Sequence, residues 1–378
     1  MMNKFMFNDS GIRTIDIEFD AEAISHLRNV WQKSVPNFPE FPSRRFSGKG
    51  IVIAAGGLSY LTCTYITLKN LRRSGCKLPV EVWHLSYELS EEMCGLLESL
   101  DAKCRVFNPL VEKNFNSVAL KPLAIIESSF EEVLYLDADN LVLRDPTYLF
   151  TTEPYKQFGQ IFWPDFWRTD INNPIFKVMD CEGADAREHE SGQLLVDKRR
   201  CWQALNLALT INKYHAIFYH LVYGDKDTFK FAWLALRKEY YLISTPVASM
   251  GYYSESGEFH GLTMGQSDDT ANLLFLHRNM RKWDATLTTE RIWKVCRSVQ
   301  SADVKFSMPL GEDGTRHLHI GGDVVDLPAD PAVIHLESSC INDLQELRAL
   351  SSYQLFVLQD YIRTKRGLKD SAVFHATF

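Results

Sequence analysis

Residues 131–146 read EEVLYLDADNLVLRDP: a short apolar run, Val133 to Leu136, delivers two aspartates, Asp137 and Asp139. A continuous apolar run of this length, bounded by polar residues, is the pattern of a buried strand. At the turn that ends such a strand both carboxylates can address one cation. Hard oxygen ligands suit Mg²⁺ or Mn²⁺, which keep some water and take their remaining ligands from substrate phosphates. A metal held there neutralises charge on a departing diphosphate. Taken alone, the pair reads more often as a turn with a helix cap, so the surrounding sequence has to decide.

Upstream, strand and helix signals alternate. The run GKGIVIAAGG (48–57) is β-branched and ends in Gly56 and Gly57, as a buried parallel strand does where it meets a helix-initiating loop. LSYLTCTYITLKNLRRSG (58–75) has helical spacing and closes on Gly75. A second strand, LPVEVWHLS, a helix near LSEEMCGLLESL with Ser90 as its cap, and a short strand, KCRVFNP, follow. This alternation predicts an α/β fold with right-handed crossovers, in which ligands sit beyond the carboxyl ends of the strands. Asp137 and Asp139 lie at such an end.

The flanks are less regular. Residues 1–46 read as an N-terminal extension: an amphipathic helix around AEAISHLRNVWQKSV, then the Pro-rich PNFPEFPSRRF, which suits neither regular helix nor central strand. Its apolar positions would dock it on a main domain spanning 47–300. Beyond the aspartates come the aromatic QIFWPDFWR, the strand-like GQLLVD and a long helical region from about 198 to 238. Residues 301–378 are predicted to add a hairpin, VKFSMPLGEDGTRHLHIGGDVVDL, and one final helix, INDLQELRALSSYQLFVLQDYIRTK, packed on the same domain.

Composition excludes several classes. A net charge of −7 with no dense Lys/Arg stripe argues against nucleic acid as the main ligand, because phosphate neutralisation needs clustered cations. The 8 cysteines are scattered without a CxxC pair, which favours reduced thiols over a disulfide frame or a zinc cluster. The N-terminus lacks the basic and apolar regions of a secretory signal, and the most apolar window, from Cys201, is interrupted by Asn, Lys and His. The expectation from composition is a cytoplasmic protein without a transmembrane segment.

Five ordered blocks, GKGIVIAAGG, ALKPLAIIESSFEEVLYLDADNLVLRDP, IFWPDFWR, ESGQLLVD and YGDKDTF, together resemble the α-mannosyltransferase family typified by the fungal mannan-branching enzymes. The resemblance runs from about Gly50 to Trp283. It implies a Rossmann-like, A-type (GT-A) glycosyltransferase fold with a mixed central sheet flanked by helices. It also implies a retaining hexosyl transfer from a nucleotide sugar, GDP-mannose or otherwise a UDP-sugar, to a carbohydrate or glycoconjugate acceptor. The alternative to a cytoplasmic protein, the soluble catalytic domain of a Golgi-type enzyme, follows only from this resemblance. Asp137 and Asp139 would then bind Mn²⁺ (or Mg²⁺), and LLFLHRNMRKW would supply His277 to the metal and Lys282 to phosphate. Asn279 stands where that element carries Gly in related enzymes, and the usual Pro before Trp283 is missing.

Further roles follow from the same resemblance. Gly56 would let a nucleotide approach the backbone, Lys121 would face the diphosphate from a first helical turn opened by Pro122, and Asp225 would line the donor. Glu190, Asp227 and Lys226 are the candidates at the reacting face of the sugar, Lys226 standing where many relatives carry Gln. Trp163, Asp165 and Trp167 suggest a sugar-stacking wall, although aromatic runs are more often core. Two other readings compete. A haloacid-dehalogenase-type phosphatase also places D-x-D at a strand end, but on its first strand, followed by Thr or Val where Leu141 stands here. A sugar-binding scaffold without activity would have no need of the metal-binding set.

Overall fold

In the computed structural model the described residues are 6–107, 117–286, 291–311 and 314–365. The chain ends assigned above to the N-terminal extension and C-terminal segment, 1–5 and 366–378, lie outside them, as do Asn108 and Pro109 of the third strand signal. Strands in the first half are β1 (Met6–Phe7), β2 (Ile12–Thr14), β3 (Lys49–Ala54), β4 (Val80–His84), β5 (Ala102–Val106), β6 (Glu132–Leu136) and β7 (Asn140–Val142). The second half adds β8 (Gln160–Thr169), β9 (Arg187–Asp197), β10 (Ala248–Tyr253), β11 (Phe259–Ser267), β12 (Leu273–His277), β13 (Val295–Ser307) and β14 (His319–Pro328). They fall into two compact units, Met1–Gly50, Lys113–Tyr135 and Leu149–Ser244 forming one, and Ile51–Glu112, Leu136–Tyr148 and Thr245–Phe378 the other.

In the first unit the strand order is β1-β2-β8-β9-β6. Antiparallel pairing joins β1 to β2 and β8 to β9, and β2 runs parallel to β8. The N-terminal segment therefore contributes the edge strand β1 and its neighbour β2 as well as helix Ala21–Ser34, a role its polar, broken pattern does not announce. That helix follows the sequence closely: Asp20 caps it through Ala23 N–H at 2.7 Å, Leu27 and Trp31 turn inward, and Trp31 Nε1 donates to Val178 O at 2.8 Å. Helices Lys198–Lys213 and Lys226–Ala235 pack on each other, and the second packs on β9. Trp163 is fully buried, and Trp167 is buried against Phe7 and beneath the Arg13 guanidinium. The aromatic run is core, and no sugar-stacking wall is formed by these two rings.

In the second unit β3, β4 and β5 run parallel, with helix Gly57–Arg73 after β3 and helix Glu91–Glu98 between β4 and β5. Ser90 caps the latter through Met93 N–H at 3.3 Å, as the sequence predicts. A six-stranded antiparallel sheet runs β14-β13-β10-β11-β12-β7. The predicted hairpin is β13–β14, but the final helix is two, Pro331–Ala349 and Ser351–Lys365. The first begins ten residues earlier than its apolar periodicity suggests, because Asp330 caps Ala332 N–H and Pro331 presets the first turn. The break falls at Leu350, an extended residue with ψ 123°. No Gly or Pro marks it; packing decides it, with Leu344 and Leu347 buried before the break and Tyr353 and Phe356 after it.

Candidate active site

The aspartate turn, residues 137–140, lies in the second unit. β6 stops at Leu136, Asn140 N–H closes the turn onto Asp137 O at 3.1 Å, and the chain re-enters as β7. Helix Gly57–Arg73 holds this turn: Thr67 Oγ1 donates to Ala138 O at 2.6 Å, and the Asn70 amide pairs with Val142 in both directions at 2.9 and 2.7 Å. β7 then pairs with β12 so that Asn140 faces His277. This short strand, invisible to a reading that ends the element at the aspartates, is what brings a side chain 138 residues away to Asp139.

His277 Nε2 lies 3.2 Å from Asp139 Oδ1 and 3.8 Å from Asp137 Oδ2. The Lys282 ammonium is bonded to the other Asp139 oxygen, and Arg278 N–H donates to the Asp139 carbonyl at 3.0 Å. Asp139 is almost fully buried, whereas 25% of the Asp137 side chain and 30% of that of Lys282 remain exposed. Burial alone would push the Asp139 carboxyl up; the Lys282 charge and the His277 ring outweigh it and hold the group well below the usual carboxylate range. The same ion pair, working against burial, keeps Lys282 firmly cationic. Tyr60 and Cys63, from helix Gly57–Arg73, sense these charges: burial, then the nearby Asp139 carboxylate, raise the Cys63 thiol to about 12. No sequence pattern singles out Tyr60 or Cys63, since both sit at ordinary helical core spacing.

The residues assigned to the donor and the reacting face are held differently. Gly56 is required, but by a neighbour within the protein: a Cβ there would lie 1.9 Å from Glu88 Oε2, which itself accepts Leu85 N–H at 2.8 Å. Lys121 does open a helix ahead of Pro122, yet its ammonium donates to Ser191 O (3.0 Å) and Ser191 Oγ (2.8 Å) and pairs with Asp225 at 3.0 Å. Lys121 and Asp225 thus tie a helix start to β9 and to the loop before helix Lys226–Ala235. Glu190 accepts from Gly192 N–H at 2.5 Å and Gln193 Nε2 at 2.6 Å, turning back on its own strand.

Lys226 is enclosed by three carboxylates: Asp165 at 2.7 Å, Asp227 at 3.2 Å and Glu188 in direct contact. Arg13 of β2 grips Glu188 at 2.9 Å, and Asp227 accepts His189 N–H at 2.9 Å. Burial disfavours the Lys226 charge, but Asp165, Asp227 and Glu188 reverse this and raise its pKa. Burial also raises Asp227, the Lys226 ammonium opposing it, while Glu188, flanked by Lys226 and Arg13, is pulled down despite its burial. Lys226 and Asp227, expected at the reacting face of the sugar, are spent on one another and on β2, β8 and β9; that geometry is a strut. Glu188 and Arg13 complete it and went unnoticed in the sequence, because a lone arginine in a polar N-terminal stretch looks like surface.

The described residues form an α/β fold of parallel strands, crossover helices and an antiparallel sheet, with Asp137 and Asp139 in the turn where β6 ends. The family described as "Mannosyltransferase putative" matches residues 48–188 and 178–268, more than half of the chain, and the chain belongs to that family. Its relatives include alpha-1,2-mannosyltransferase MNN21 of Candida albicans, 29% identical over 69% of this chain and 49% of the relative. Another is alpha-1,2-mannosyltransferase MNN5 of Saccharomyces cerevisiae, 28% identical over 59% of this chain and 49% of the relative. The chain thus spans about half the length of the curated relatives it matches. Among solved structures it is similar to core-mannan synthase A of Aspergillus fumigatus in a Mn/GDP form, with a TM-score of 0.32 and 10% identity over 49% of this chain and 69% of that one. It is also similar to the glycosyltransferase GlyE of Streptococcus pneumoniae, with a TM-score of 0.34 and 16% identity over 52% and 46% of the two chains. Among the described residues no helix is long and apolar enough to cross a membrane.

Proposed function

We propose that the protein is a metal-dependent, retaining α-mannosyltransferase that moves mannose from GDP-mannose to a carbohydrate or glycoconjugate acceptor, the α-1,2 linkage following the names of its relatives. The observation that carries this reading is that His277 Nε2 faces both aspartates, Asp139 at 3.2 Å and Asp137 at 3.8 Å, with Asp139 kept ionised inside the protein. Two hard carboxylate oxygens and an imidazole are a donor set that suits Mn²⁺ better than Mg²⁺. A cation bound there would supply charge neutralisation for the departing diphosphate. The chain's own contribution is positional: Thr67 and Asn70 fix the turn, and Arg278 N–H fixes its carbonyl. Lys282, part exposed, can turn its ammonium from Asp139 to a phosphate oxygen when a donor arrives.

Within the first unit we assign Lys226, Asp227, Lys121 and Asp225 as positioning residues for β9, which leaves Glu190 as the proposed carboxylate at the sugar. Residues 47–300 are proposed as the catalytic domain, with 1–46 and 301–378 as its N- and C-terminal additions. One observation favours a competing reading, a sugar-binding relative without turnover: the ammonium of Lys282 already meets the Asp139 charge. Thermal unfolding of the purified protein with GDP-mannose and with UDP-sugars, each with and without Mn²⁺, tests the donor site, because a ligand bound to the native state raises the Tm. GDP release in the presence of an acceptor separates turnover from binding alone. A rise with GDP-mannose that needs Mn²⁺ and is lost in Asp137→Ala supports the proposal. A shift with a UDP-sugar alone reassigns the donor, and no shift with any of them overturns the enzyme reading.

A further inference from the structure

The second unit holds a group of metal-binding side chains that the proposed transfer chemistry does not use. His84 ends β4, Cys104 lies in β5, and Cys94 lies in the helix Glu91–Glu98 that connects them. The three follow one another at intervals of 10 residues, all within one strand–helix–strand turn of the chain. In the parallel register Cys104 pairs with Val82, two residues before His84, so both ligand groups stand on one face of the two strands. A ring nitrogen of His84, Cys94 Sγ and Cys104 Sγ all lie within 4.8 Å of one another. His84 is buried, and both thiols are partly accessible.

Two further features mark the group as a site. His84 Nδ1 lies 2.8 Å from Leu85 O; donating there leaves Nε2 as the nitrogen with a free lone pair, and that nitrogen faces Cys94 Sγ at 3.5 Å. A backbone carbonyl on the far nitrogen is the usual device that fixes the tautomer of a ligating histidine. In a tetrahedral centre with Zn–S of about 2.3 Å and Zn–N of about 2.0 Å, the N···S edge comes to about 3.5 Å, which the two side chains already meet. Cys104 Sγ, 3.8 Å from Cys94 O, is held on the same side. We propose that His84, Cys94 and Cys104 form a Cys₂His site for a soft divalent ion, Zn²⁺ in the first instance, with its fourth position open to water.

Two thiolates and an imidazole select zinc-like ions over Mg²⁺ or Mn²⁺, so this centre and the aspartate turn would load different metals. Burial raises both thiols. Binding therefore releases protons, and the apparent affinity rises with pH. The ion would cross-link β4, the helix Glu91–Glu98 and β5.

Because carboxylates and imidazoles elsewhere also attract metals, as at Glu258, His260 and His317, the test has to report on sulfur. Co²⁺ added to the reduced, chelator-treated full chain should produce a thiolate-to-metal charge-transfer band that Zn²⁺ abolishes. The band should disappear in Cys94→Ser and in Cys104→Ser and persist in Asp137→Asn. No band in the reduced wild type, or a band that survives both serine variants, overturns the site. Should either variant fail to fold, the wild type decides alone: Zn²⁺ should protect Cys94 and Cys104 from alkylation, read by peptide mass spectrometry. Equal labelling of both with and without Zn²⁺ rejects the proposal.

Discussion

Two buried charge clusters, one in each unit, look alike in composition and differ in what they leave over. Around Lys226 every charge is matched inside the protein: three carboxylates meet the ammonium, Arg13 meets Glu188, and between 1 and 14% of each side chain is exposed. Around Asp139 the inner carboxylate is matched by Lys282 and His277, while Asp137 keeps a quarter of its side chain in solvent. A closed network can hold strands in place but has no valence for a ligand. One that ends on a part-exposed carboxylate and a part-exposed ammonium can exchange an internal partner for an external one. Exposure of the outermost member, more than pKa perturbation, tells strut from site.

The comparison breaks most readily at Lys226. Lys226→Ala strands three carboxylates in the interior and should cost about 3–5 kcal/mol of stability, seen as a lowered urea midpoint at unchanged m. A loss below about 1 kcal/mol would mean that the network is not a strut. Asp139→Asn should cost a comparable amount in the transition state, about 2.7–4 kcal/mol or 10²–10³ in turnover of GDP-mannose with Mn²⁺. Far-UV circular dichroism should be unchanged, and retention of wild-type turnover would remove Asp139 from the site.

A pH series sharpens the contrast. Glu188 has a folded pKa below its unfolded value, so its contribution is fully present above about pH 4.3 and is lost as pH falls toward the native value. One proton corresponds to a slope of at most about 1.4 kcal/mol per pH unit. Lys226, raised in the fold, contributes below about pH 10.4 and loses its share as pH rises through its native value. Tm plotted against pH should therefore fall on both flanks, and Glu188→Gln should flatten the acid one; an unchanged acid limb contradicts the assignment. The smallest effect is expected at Asp137, where Asp137→Asn should change stability by no more than about 0.5 kcal/mol while weakening Mn²⁺-dependent binding of GDP-mannose. A large loss of stability there would make the aspartate turn another strut.

Much of this was legible without coordinates. Apolar runs mark β3, β4 and β6, and Asp20 and Ser90 are caps whose short side chains reach their own helix. Asp137, Asp139 and His277 are picked out by residue type and position at strand ends, and His277 Nε2 lies 3.2 Å from Asp139 and 3.8 Å from Asp137. What could not be read is where a buried charge finds its partner. Lys121, Asp225, Lys226 and Asp227 look like donor-site residues in the chain, and each turns out to be engaged by groups that lie elsewhere in the sequence. Cys94 and Cys104 look like scattered core thiols until the pairing of β4 with β5 brings Cys104, and the helix between them brings Cys94, to His84.

By itself the sequence determined the local rhythm of the protein, its α/β class, its family and the turn on which two carboxylates are offered, because strand and helix periodicity, caps and turns depend on residues within a few positions of one another. Tertiary structure alone decided which charges are matched. β7 had to pair with β12 before His277 could meet Asp139, and β2 had to lie along β8 before Arg13 could meet Glu188. In a low-dielectric interior the meaning of an ionisable residue is set by the charge a few ångströms away, and that distance is fixed by strand register rather than by sequence separation.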